Sequence, residues 1–122
     1  MKNLVKKEKF NTKNVVVERF IPDDIVELVA GQQLKHGDIL VQDETTGKWK
    51  KYVKTDFTGS ENIRIYTGED LEQASTADDK AEVLRQGRVD KAFVGNLSET
   101  STDNIKVLNT LEIHNIFVEE VK

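Results

Sequence analysis

Apolar and polar positions alternate along most of this chain as they do in strands. Val15-Val16-Val17 opens a β-branched run that reaches Phe20-Ile21 and stops at Pro22-Asp23-Asp24, a corner marked by the only proline. From Glu27 to Tyr52 the pattern predicts a β-meander. Leu28 and Leu34 flank a turn at Gly31, and a second turn falls at His36-Gly37-Asp38, where glycine gives the backbone the freedom a tight reversal needs. Ile39-Leu40-Val41 follows as a strand. Asp43 to Lys48 is a polar loop, after which Trp49 and Tyr52 return as large residues suited to a pleated, half-buried surface. A polar loop covers Val53 to Asn62, Ile63-Arg64-Ile65-Tyr66 alternates as a strand, and Thr67 to Asp79 reads as an acidic loop. Ala81 to Val89 predicts one further strand, with Gly87 marking a bulge or a close backbone approach. Asp90 to Leu97 predicts a short helical turn.

Only Ser98 to Glu112 carries helical spacing. Ile105, Leu108, Leu111 and Glu112 recur at three- and four-residue intervals and define the face expected to pack on a sheet, with Thr102 or Asp103 as the N-cap. His114-Asn115 ends this helix, and Ile116 to Val121 closes the chain as a last strand. No internal repeat or low-complexity tract interrupts the series.

The first 14 residues break the pattern. Beyond Met1 their sizeable apolar side chains are Leu4, Val5 and Phe10, set among Lys2, Lys6, Lys7, Lys9 and Lys13, too few to offset the entropy of ordering the segment alone. A flexible basic arm over 1–14 and a β-rich domain over 15–122 are therefore expected. Charge sharpens the division: residues 1–19 hold six Lys/Arg against two Asp/Glu, net +4, which leaves twelve against twenty, net −8, for the remainder of a chain of formal charge −4. The amino terminus has the charges of a signal peptide but no apolar segment of useful length behind them, so no secretion signal is expected. No apolar run approaches the roughly 20 residues of a membrane span. At 122 residues the chain fits one domain with one core, and with no cysteine neither disulfides nor thiolate metal sites contribute.

Candidate chemistry is sparse. His36 and His114 both fall in predicted turns, with no ligand-spaced partner, and a structural role is preferred for each. Ser98, Ser101 and nearby threonines lack a glycine-flanked nucleophile elbow, and helix capping explains them better. The acidic pairs Asp23-Asp24, Asp43-Glu44, Asp78-Asp79 and Glu119-Glu120 are adjacent rather than alternate, so on a strand their two carboxylates point apart, which favours a solvated surface over calcium. Phe10 among lysines suits base stacking. The acidic body would repel phosphate, however, and a basic arm equally suits an acidic protein surface. Neither catalytic residues, nor a metal, nor a cofactor is expected.

Two resemblances bear on the stretch 31–40. Gly31 to Leu40 is similar to the glycine-turn phrase of lipoyl and biotinyl carrier domains, and Asp90-Lys91-Ala92 matches their modified tripeptide. The order is inverted, because in carriers the modified lysine precedes the phrase. A fuller match is Ala30-Gly31-Gln32-x-Leu34-x-x-Gly37-x-Ile39-Leu40, then Thr46-Gly47-Lys48-Trp49 before a strand, then Leu84-x-x-Gly87-x-Val89, then a closing helix and strand. In that order the four resemble the bacteriophage head decoration proteins typified by that of phage lambda, over residues 26–121. The arm is longer and more charged than in lambda's own protein, and proline is scarcer. The resemblance implies a small, mainly β, barrel-like domain of the β-clip type with one C-terminal helix. It implies homotrimers on the outer surface of the virion, bound to the major capsid protein after assembly in the host bacterial cytoplasm, without catalysis, direct nucleic-acid binding or a membrane. Capsid contact is then expected of the arm, through Lys2, Leu4, Val5, Lys6, Lys7, Lys9, Phe10 and Lys13. The rival reading is a stand-alone β-rich binding or carrier module acting as a monomer.

Overall fold

In the computed structural model, residues 14–71, 74 and 79–121 are described. The eight arm residues singled out above, Lys2 to Lys13, lie outside them. The fold is mainly β. Among the described residues the strands are β1 (Val16–Arg19), β2 (Asp24–Glu27), β3 (Ile39–Gln42), β4 (Trp49–Lys51), β5 (Ile63–Tyr66), β6 (Lys80–Leu84), β7 (Gly87–Asp90) and β8 (Ile116–Glu119), and an α-helix, α1, spans Ile105–Ile113. They form two open sheets, of order β1-β7-β8 and β2-β6-β5-β3-β4, rather than a closed barrel. Every pairing is antiparallel except β7 with β8, which the crossover through α1 makes parallel.

The central strands of the larger sheet are buried on both faces. Ile39, Val41, Ile63, Ile65 and Leu84 join Val15, Val89, Val107, Leu111 and Ile116 in the main core between the sheets and α1. On the opposite face Leu40, Tyr66, Ala81 and Val83 pack with Leu28, Leu34 and Trp49 in a second cluster. That two-sided burial explains the unbroken apolar triplet Ile39-Leu40-Val41, since a strand covered on both faces has no solvent side on which to place polar residues.

Three expectations are corrected. The meander does not run through sequential neighbours: β2 pairs with β6, and Leu28 and Leu34 make only isolated bridges, to Trp49 and Leu71. Only the β3–β4 hairpin is local, closed by Asp43, whose carboxylate accepts from the Thr45 and Thr46 N–H groups, and by Gly47 at φ 76°. The run 81–89 is two strands in different sheets. The chain changes sheet at Arg85-Gln86, and a side chain at Gly87 would overlap the Glu18 carbonyl oxygen, the close approach its glycine suggested. Finally, the helix is shorter than 98–112, and its buried face is rotated: Leu111 and Leu108 pack on the core as the spacing predicted, whereas Ile105 and Glu112 do not.

Residues Ser101–Asn104 form a 3-10 turn before α1, and the N-cap is Asn104. Neither Thr102 nor Asp103 caps the helix; the Asn104 amide instead ties back to both backbone groups of Ser98. The buried positions are Val107, Thr110 and Leu111, whereas Ile105 is 55% exposed. Thr110 reads as polar in sequence. Its hydroxyl donates to the Lys106 carbonyl at 2.9 Å, which satisfies it and lets the side chain turn inward. Asn115, at φ 66°, then ends the helix in the left-handed conformation that asparagine tolerates.

Candidate docking face

The outer face of the smaller sheet begins where residues 1–13 join the body. Val15 is fully buried and its carbonyl accepts from the Asp90 N–H, which makes it the first core position among the described residues. β1 is an edge strand, and along it Val17 and Phe20 are exposed. Phe20 meets Phe117 of β8 in a tilted ring pair 6.2 Å between centroids. Beside the rings, Arg88 of β7 reaches across both neighbouring strands. Its guanidinium forks onto Glu119 at 2.8 and 2.9 Å and donates to Glu18 at 2.9 Å. The Glu119 carboxyl is held below its ordinary value by that fork, and the same bonds raise Arg88. The result is a surface of two aromatic rings and a three-member ion network beside the terminal strand of the sheet.

Elsewhere polar groups are committed to the fold. Asp38, 3% exposed, accepts from the Lys35 N–H and lies 3.5 Å from the Lys51 ammonium; a side chain at Gly95 would collide with it. Asn96 substitutes for a missing strand neighbour, accepting from the Ile39 N–H at 2.7 Å and donating to the Ile39 and Tyr52 carbonyls. Sequence reasoning passed over Asp38, Arg88 and Asn96. Only Asp38 left a signal, as a carboxylate inside a tight glycine turn.

The adjacent carboxylates diverge, as their spacing predicted. Asp23 binds Arg19 and Thr67 while Asp24 binds Arg64, and Glu119 binds Arg88 while Glu120 lies 3.8 Å from Lys91. Asp24 is lowered by the Ile25 N–H first and by Arg64 second. Asp43 organises its own turn, and Asp78 lies outside the described residues. Ser98 donates to Asp103, and His114 Nδ1 faces the Thr110 carbonyl, so neither is arranged as half of a nucleophilic pair. Lys91 begins a 3-10 turn after β7 rather than standing at the tip of a hairpin, a poor geometry for a swinging carrier lysine. A groove of about 360 Å³ is lined by Gln32, Lys50, Val53 and Phe57. Among the described residues no group of three or more His, Asp or Glu converges on a point, and no helix is long and apolar enough to cross a membrane.

No protein-family model matches this chain, and no curated protein matches it significantly.

Proposed function

We propose that this chain is a bacteriophage head decoration protein: homotrimers bind the outer surface of the expanded head, bridge major capsid protein subunits and stabilise the shell against internal DNA pressure. The observation that carries the reading is the order of the four matched phrases along residues 26–121. The docking face adds to it. An edge strand flanked by exposed Val17 and Phe20, at the point where the basic arm joins, suits a partner that adds contact area and backbone pairing together. Lysines of the arm would steer that encounter toward an acidic capsid surface, an attraction that weakens with salt. Modest affinity per site suffices for such a cement, since many copies act on one shell.

Expanded heads of the phage that encodes the chain provide the test. The full chain should co-sediment with them at a saturating ratio of trimers, and light scattering of the free protein should report the mass of three chains or a concentration-dependent approach to it. Removing residues 1–14 should lower head occupancy and its salt dependence while leaving the melting temperature nearly unchanged, since the segment is too poor in apolar side chains to add much to a core. Failure of the full chain to bind expanded heads would end the proposal. A gene position between the capsid protease and the major capsid protein is the corresponding genomic expectation.

A further inference from the structure

His36 joins three parts of the molecule through its ring and backbone. Its half-buried ring lies between the residue that precedes β1 and the loop that follows β5, with the Val15 N–H donating to Nε2 at 2.9 Å and Nδ1 3.1 Å from the Gly68 carbonyl oxygen. A backbone amide can only donate, so Nε2 must offer a lone pair. A carbonyl can only accept, so Nδ1 must carry the proton. These two bonds are compatible with one form of the ring, the neutral Nδ1–H tautomer. We propose that His36 is a proton-sensitive latch, which in its neutral form fastens the root of the first strand to the body and lets go when the ring is protonated.

A proton on Nε2 would set one donor against another and leave the Val15 amide without its acceptor. The surrounding charged and titratable groups do not repair that loss. On the loop after β5, Asp70 accepts from the His36 backbone N–H at 2.8 Å. Its carboxylate is bonded to that backbone group and offers the Val15 N–H no substitute acceptor. On the His36 turn itself, Asp38 is engaged by Lys35 and Lys51. At the end of β5 the Tyr66 hydroxyl donates to the Glu69 carbonyl at 2.6 Å. On the β1 side, among the described residues, Asn14 is neutral and accepts from the Val16 N–H.

Release is local. The Val15 side chain is fully buried, and its carbonyl still accepts from the Asp90 N–H, so the core and β1 stay in place while the point at which the preceding residues enter the body loosens. Gly37, next to the latch, is held by its own N–H to the Tyr66 carbonyl and by the Gly95 N–H to its carbonyl. The turn that carries the ring is therefore a fixed mount. The latch rests on these bonds alone and is independent of what the docking face binds.

Nuclear magnetic resonance of the full chain tests it. Near pH 8, imidazole nitrogen shifts should report the Nδ1–H tautomer for His36. On acidification to about pH 5, where histidine ordinarily takes up its proton, protection of the Val15 amide should fall at least about fivefold after correction for intrinsic exchange, the size of one lost hydrogen bond. Protection of Leu40 and Ile65 should stay constant over the same range. His36→Gln supplies an acceptor that does not titrate and should make Val15 protection independent of pH. An Nε2–H tautomer, unchanged Val15 protection in the wild type, or a wild-type pH response retained in His36→Gln would each overturn the latch. The wild-type measurements decide the matter even if the variant folds poorly.

Discussion

Gly37 and Gly31 have nearly the same backbone, φ 94° and 91°, and very different surroundings. A side chain at Gly37 would overlap the Phe93 carbonyl oxygen and its carbon, both on fixed backbone, whereas one at Gly31 would meet nothing within 4 Å. Gly31→Ala should therefore cost only the left-handed conformational penalty, about 1–2 kcal/mol, while Gly37→Ala should cost about 3 kcal/mol or more because backbone must also move. Urea unfolding midpoints of the two variants check the difference, and equal losses would mean that the Phe93 contact is easily relieved. In the sequence both glycines were legible as turn residues. Their inequality was not, because the atom that separates them lies 56 positions along the chain.

At the scale of elements, α1 separates pattern from packing. Ile105 and Ile113 are among the most apolar residues of the segment, yet they are 55% and 76% exposed, while Val107 and Leu111 are fully buried. Val107→Ala and Leu111→Ala should each destabilise by about 2–4 kcal/mol. Ile105→Ala and Ile113→Ala should stay within about 0.5 kcal/mol, as surface substitutions do. Leu111 lies on both the observed and the predicted face, so thermal unfolding of the Ile105 and Val107 variants is what tells the two apart. The strand β5, by contrast, was legible residue for residue, because its alternation spans one element with a fixed register. The break between β6 and β7 was not, since Arg85-Gln86 carries no proline or glycine cluster and only the sheet change reveals it.

Across the whole molecule, ionised carboxylates link distant segments, and this makes stability depend on acid. Asp24 of β2 bonds to Arg64 of β5, and Glu119 of β8 bonds to Arg88 of β7; both carboxyls are held below their ordinary values. A carboxyl lowered in the folded state gives up its proton more readily there than in the unfolded chain. Its stabilising contribution is thus complete above the unfolded value, about pH 4, and is lost as pH falls through the folded one. From these two pairs the melting temperature should decline modestly as pH falls below about 4. Asp24→Asn and Glu119→Gln should each flatten that limb in calorimetry while slightly lowering stability at pH 7, and added salt should reduce both differences. These pairs are solvent-facing, so their share of total stability is small.

What the sequence determined by itself was local and periodic: a mainly β body, the glycine turns, the β3–β4 hairpin, and a helix before the last strand. Each is encoded within a few positions by alternation, turn chemistry or charge. Tertiary structure alone decided that β2 would pair with β6, that the 81–89 run would divide between two sheets, that Thr110 would face inward and Ile105 outward, and that His36 would receive the Val15 amide. The physical reason is common to all four. Each outcome depends on which distant segment supplies the missing hydrogen-bond partner or covers the apolar face, and no periodicity within one segment records that choice.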